Sequence, residues 1–172
     1  MDKQRQMMVL FVQGLFNNRY EVESIQNRLD AAKTIIDDIL KDFENIREWV
    51  RDMETGGDVF KNHTTSYRGG RGSSVEYNII SIFECSRIKN SIEASIILLD
   101  DVLYELLVKK YWDRIKIRDL ARNYKLPESS IKNRINEIQD FIIKDLEHKD
   151  VTYQNLYWFW DKFFGNKQEK AS

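Results

Sequence analysis

The 172-residue sequence predicts an all-α protein, and three observations carry that prediction. Apolar residues recur at alternating three- and four-residue spacing over most of the chain, the period of helices packed along other helices. Pro127 is the single proline, and five of the seven glycines crowd between Gly56 and Gly72, so helix breakers are scarce outside one window. Hydrophobic residues make up 42% of the chain, enough to give such helices a core.

Residues 1–54 carry a heptad seam from Met8, Phe11 and Leu15 to Ile46, Val50 and Met53. It predicts an N-terminal coiled-coil helix, or two helices, with Ile35, Leu40 and Trp49 widening the apolar stripe. Asn17-Asn18 either divides the helix or places Asn18 in the seam as a buried polar residue that fixes register. Residues 55–74 are rich in glycine, serine, threonine and asparagine and read as a linker. Within it, Arg68-Gly69-Gly70-Arg71-Gly72 lacks the Gly-Lys-Ser/Thr end of a P-loop, which leaves a flexible connection or an arm that touches phosphate.

Residues 75–111 predict a central helix or helices, with Ile79, Ile82, Ile88, Ile92 and Ile96 on one face. The run Ser95-Ile96-Ile97-Leu98-Leu99 is apolar almost all round, so this segment is expected to be the central, most buried one. Folding back on the first segment gives an antiparallel helical hairpin.

Residues 112–149 predict a helix-turn-helix. Ile117, Leu120, Ala121 and Tyr124 share one face of a short helix, with the small Ala121 where a second helix must cross closely. Lys125-Leu126 forms the turn, and Pro127 suits the first position of the next helix because its missing N–H costs nothing there. Ile131, Ile135, Ile138 and Ile142 then point inward. At about 100° per residue, Ser129, Lys132, Asn133 and Asn136 point outward. Small polar, basic and amide groups of this kind bond base edges in a major groove. Ser130 and Arg134 fall at the flank, where backbone contact is expected.

Net charge is only −1, but it is unevenly spread. From Val108 to Gln139 nine Lys/Arg face four Asp/Glu, whereas from Arg19 to Glu54 six face ten. The basic surplus therefore falls on the helix-turn-helix, where Lys109, Lys110, Arg114, Lys116, Arg118, Arg122 and Lys125 are the phosphate candidates along with Ser130 and Arg134. A plain packing hairpin is the competing reading of the same two helices.

Residues 102–146 resemble the promoter-reading helix-turn-helix of sigma factors. They resemble still more the sigma-like half of late-transcription activators from phages of Gram-positive bacteria, the RinA and ArpU type. The matching residues are Tyr104-Glu105-Leu106-Leu107 with Lys110-Tyr111, then Ile117 to Tyr124, then Leu126 to Ile131. The resemblance implies promoter DNA binding beside RNA polymerase. Lys125 stands where the usual turn glycine would be, and Ile135 falls one residue later than the usual second apolar position.

Residues 150–172 predict an aromatic helix that starts near Thr152 and stops at Gly165. Tyr157, Trp158, Trp160, Phe163 and Phe164 either pack this helix on the bundle or across a dimer, or anchor another protein.

No catalytic constellation is expected. His63, His148 and Cys85 have no metal-ligand spacing, and one cysteine allows no intramolecular disulfide. Asp37-Asp38 and Asp100-Asp101 are neighbours about 100° apart on helices and read as solvated or helix-edge charges. No cofactor, metal, small-molecule ligand or membrane span is indicated, and the expected setting is the cytoplasm. The expected function is a sequence-specific DNA-binding transcription regulator, a phage-type activator working with host RNA polymerase. Homo-oligomers through the N-terminal coiled coil or the aromatic tail are also expected. The alternatives are a small terminase-type DNA-recognition subunit, which would form a ring, and a helical adaptor that binds no nucleic acid.

Overall fold

The computed structural model describes residues 19–56 and 73–171, and among them the chain is all-helical. Helix α1 spans Arg19–Lys41, α2 Phe43–Glu54, α3 Ser73–Ile97, α4 Asp101–Leu107, α5 Ile117–Tyr124, α6 Glu128–His148 and α7 Tyr153–Ala171. A π-helical turn, Val108–Trp112, prolongs α4, closed by the Asp113 N–H on the Val108 carbonyl at 2.9 Å. No described helix is long and apolar enough to cross a membrane.

From Ala32 onward the N-terminal seam is buried inside the chain. Ala32, Ile36, Ile39, Phe43, Ile46, Val50 and Met53 are buried, because α1 packs on α6 and α7 and α2 packs on α3. The segment forms two helices that break at Asp42, whose φ of −110° and ψ of 18° leave the helical range. The Ile46 N–H still reaches the Asp42 carbonyl at 3.0 Å, so the heptad phase survives the break. Asn17-Asn18, the earlier seam residues, His63 and the Arg68–Gly72 arm lie outside the described residues.

Helix α3 returns antiparallel to α2, as the hairpin expectation required. Arg47 Nε meets Glu93 at 2.9 Å and, seven residues on, Glu54 accepts from Ser86. It also runs antiparallel to α6, where Ser95 Oγ lies 2.5 Å from Asp145 and Arg87 reaches the Lys149 carbonyl at 3.5 Å. Its main partners among the described residues, α2, α6 and α7, occupy one side, which buries Cys85, Ile88, Ile92, Ser95 and Ile96. The expectation of all-round burial over Ser95–Leu99 is therefore corrected: Ile97 and Leu98 are exposed, and so is Ile79. Burial pushes the Cys85 thiol up to about 12, with Lys162 opposing and Glu84 adding to the shift, so it stays a protonated core group.

Three helix ends share one device. Arg114, Lys125 and Asp150 take positive φ of 56°, 55° and 59°, the left-handed conformation that glycine usually supplies. Each is followed by an aliphatic residue whose N–H turns back to the helix: Ile115 to Lys109 at 2.9 Å, Leu126 to Ala121 at 3.0 Å, Val151 to Leu146 at 2.8 Å. Val151 is buried, and Ile115 and Leu126 pack against the core. The aliphatic side chain holds each corner where the backbone alone would not.

Two helix starts are capped by side chains, those of α4 and α7. Asp100 accepts from the Leu103 N–H at 2.8 Å, the helix-edge role expected for it. Thr152 and Asn155 cap α7 reciprocally, at 3.0 Å and 3.3 Å. Leu156, Phe159 and Phe163 bury that helix, and Trp49 stands edge-on to Phe159 and Phe163 at 6.0 and 5.3 Å. The predicted stop at Gly165 is corrected, since α7 continues to Ala171.

Polar links hold α6 and α7 to α1, among them the pair of Lys33 with Asp140 at 3.2 Å. Gln139, buried on α6, donates to the Tyr111 hydroxyl at 3.1 Å and to Asp37 at 3.5 Å. Burial, with the Asp37 carboxylate nearby, pushes the Tyr111 phenol well above its ordinary value. The Trp160 indole donates to Asp38 at 3.1 Å. Asp37 and Asp38 are thus half-buried acceptors and not the solvated charges that their sequence neighbours suggested.

Two outcomes follow. A Cβ at Gly165 would stand 3.8 Å from Asp161, an ordinary contact. Gly165→Ala should therefore raise stability by about 0.5–1 kcal/mol in chemical denaturation, the usual helix-interior gain. Burial raises the Asp145 carboxyl, but hydrogen bonds from Lys149 and Ser95 outweigh it and hold the group below its ordinary 3.8. That stabilisation is present above 3.8 and is lost as pH falls through the lower folded value. The stability gap between wild type and Asp145→Asn should be widest at neutral pH and close in acid; a gap that is constant with pH would contradict it.

Candidate nucleic-acid interface

Helix α5 forms on the face its sequence spacing predicts, with Leu120 and Ala121 buried and Ile117 and Tyr124 packed against the core. It lies against α6 and the π turn. Between α5 and α6 stands Lys125, at φ 55° and ψ 42°. Left-handed backbone costs a side-chain-bearing residue roughly 1–2 kcal/mol, so this corner is strained and carries a charge where glycine would be at ease. Pro127 is extended, at φ −60° and ψ 151°, and caps α6 from outside. It sits one place before the first helical position expected for it, which Glu128 occupies.

Ile131, Ile135, Ile138 and Ile142 are buried along one side of α6. Exposing the four at roughly 2 kcal/mol each would cost more than any surface contact returns, so the rotation of the helix is fixed. The opposite side then follows. Ser129, Lys132, Asn133 and Asn136 are all exposed, and Ser130 and Arg134 are half-buried at the flank. Beyond Asn136 the same exposed side turns acidic, with Glu137 and with Asp140, which pairs with Lys33 at 3.2 Å. The neutral and basic part of the face is confined to the first turns of α6.

Arg114, Lys116, Arg118, Arg122 and Lys125 are exposed on and around α5, and among the described residues none of them is held in an ion pair. Arg114 and Lys125 owe their position to the two left-handed corners that bracket α5. Lys110 is half-buried. Lys109 is half-buried. Its ammonium is already engaged, 2.7 Å from Glu105 and 4.9 Å from the Tyr124 ring centroid, and the Glu105 hydrogen bond holds its pKa above the ordinary lysine value.

The aromatic candidates lie elsewhere. Phe163 is buried and is corrected as a surface contact, while Trp158, Trp160 and Phe164 are half-buried and Tyr157 is exposed. Tyr153, Tyr157, Trp160 and Phe164 follow one another along one side of α7, with ring centroids 6.4, 5.8 and 5.7 Å apart. The α7 helix packs on α1 and α3. Among the described residues no three His, Cys, Asp or Glu side chains cluster as metal ligands would.

Sequence reasoning missed the link from Gln139 to Tyr111 and Asp37, which positions α6 from behind. Its only trace is a glutamine among the apolar residues of the buried side. Comparison of the chain with protein families, with curated proteins and with solved structures gave no match.

Relieving the strained corner should separate stability from charge. Lys125→Gly should stabilise the fold by about 1 kcal/mol in denaturant titrations. No gain, or a loss, would show that the lysine side chain contributes contacts that outweigh the backbone strain.

Proposed function

We propose that the chain is a sequence-specific DNA-binding transcription regulator in which α5 and α6 act as a helix-turn-helix. The observation that carries this reading is the single exposed face of α6. Ser129, Lys132, Asn133 and Asn136 project together while the four isoleucines opposite them are buried. In this reading the first turns of α6 enter the major groove. Asn133 or Asn136 pairs with adenine through both of its amide atoms, and Lys132 reaches guanine or a phosphate. Arg114, Lys116, Arg118, Arg122 and Lys125 neutralise phosphates along the groove edge and set the register of the protein on the duplex. Glu137 and Asp140 mark where the helix leaves the DNA, since a carboxylate beside the phosphate backbone is repelled. In this reading, guided by the resemblance to phage late-gene activators, the target is a promoter bound beside host RNA polymerase in the cytoplasm of a bacterial or phage-infected cell.

The decisive experiment is fluorescence anisotropy of the protein on promoter and scrambled duplexes over a range of salt. Lys132→Ala and Asn133→Ala should remove the preference for one sequence, at about 1–3 kcal/mol of discrimination for each base contact. Arg122→Ala should weaken every duplex alike and lower the salt slope by about one. If all three variants bind as wild type does, α6 is a packing helix and the DNA reading fails. Capture of a protein partner with no DNA affinity would identify the adaptor instead.

A further inference from the structure

Helix α3 shows a second ordered face that no other described element covers. Its inward side is filled by Cys85, Ile88, Ile92 and Ile96. On the outward side Ile80, Phe83, Arg87, Asn90, Ala94 and Ile97 succeed one another at spacings of three, four, three, four and three, a heptad seam with no partner helix among the described residues. Ile80, Phe83, Ile97 and Leu98 are 61, 72, 77 and 60% exposed. From Ile79 to Leu98 the stripe is about 29 Å long at 1.5 Å per residue. Apolar surface of this length and order on a soluble helix marks a site of association.

The order of residues along the stripe identifies the occupant. Laid against a reversed copy of itself, the seam pairs Ile80 with Ile97, Phe83 with Ala94 and Arg87 with Asn90. The bulkiest side chain meets the smallest, aliphatic groups close both ends, and the polar pair falls in the middle. A surface that matches itself in reverse is what a two-fold axis requires. Arg87 is half-buried at the edge of the seam and brings little unbalanced charge to that centre, because Glu84 of its own helix holds its guanidinium at 3.0 Å and the Lys149 carbonyl accepts from it at 3.5 Å. An asparagine in such a seam fixes the register of the pair.

We propose that α3 is the interface of a homodimer, in which two copies pack this helix antiparallel about an axis level with Ile88 and Lys89. The inference stands independently of whether α6 reads DNA, since the two faces share no residue. If α6 does read DNA, the dimer carries two reading helices.

Sedimentation of the full chain over a range of concentration tests it. The wild-type mass should double with concentration, and Phe83→Glu and Ile97→Glu should each weaken the dimer about tenfold or more. Both side chains are exposed, so circular dichroism and the thermal midpoint should stay unchanged. Register is tested by cysteines. Phe83→Cys combined with Ala94→Cys should oxidise to a covalent dimer, while either substitution alone should not, Cys85 being buried. A wild type that stays monomeric at every concentration would overturn the proposal. So would a dimer that survives both glutamate variants, or one that crosslinks through Phe83→Cys alone.

Discussion

The buried isoleucine stripe of α6 is the constraint on which the remaining surface depends. Ile131, Ile135, Ile138 and Ile142 are seated among α4, α5, α1 and α3, and once they are placed no freedom of rotation remains to the side chains opposite. Gln139 adds direction to what the isoleucines supply in free energy. Its hydrogen bonds to Tyr111 and Asp37 join α6 to the π turn and to α1, so a small slide along the helix axis would break a buried polar contact. Apolar burial sets the magnitude of the stability, and the polar link sets the register.

Charge is arranged around the same helix. The acidic stretch from Arg19 to Glu54 and the basic stretch from Val108 to Gln139 nearly cancel, and the whole chain carries −1. Such a molecule has little long-range attraction for a polyanion. At physiological salt, fields fade over about 8 Å, so only the local surface matters once contact is made. The basic residues around α5 would orient an approaching phosphate chain, and the acidic helices would keep the rest of the molecule away from it.

Periodicity made most of the helices legible, because burial of a stripe is a property of spacing alone. The seam from Ala32 to Met53, the α5 face and the α6 stripe all sit where their three-four spacing puts them. Local chemistry was harder to read. Asp42 breaks a helix without proline or glycine, and Gly165 fails to end one, because packing on either side outweighs a propensity difference of about 1 kcal/mol. The corners at Arg114, Lys125 and Asp150 carry no glycine, and their signal lies in the aliphatic residue that follows each. Ile97 and Leu98 were misread for a different reason. Hydrophobicity says that a side chain seeks cover, and it does not say whether that cover belongs to the same chain.

The π turn at Val108–Trp112 holds one more residue than an α-helical turn would. The extra residue offsets everything after it by about 100° relative to an unbroken helix. It is this offset that aims Tyr111 at Gln139 and brings the chain to α5 in the right phase. Without that residue the helix would be more regular and the elements after it out of phase. The widened turn is therefore a joint, and the aim of every element downstream is conditional on a single added residue.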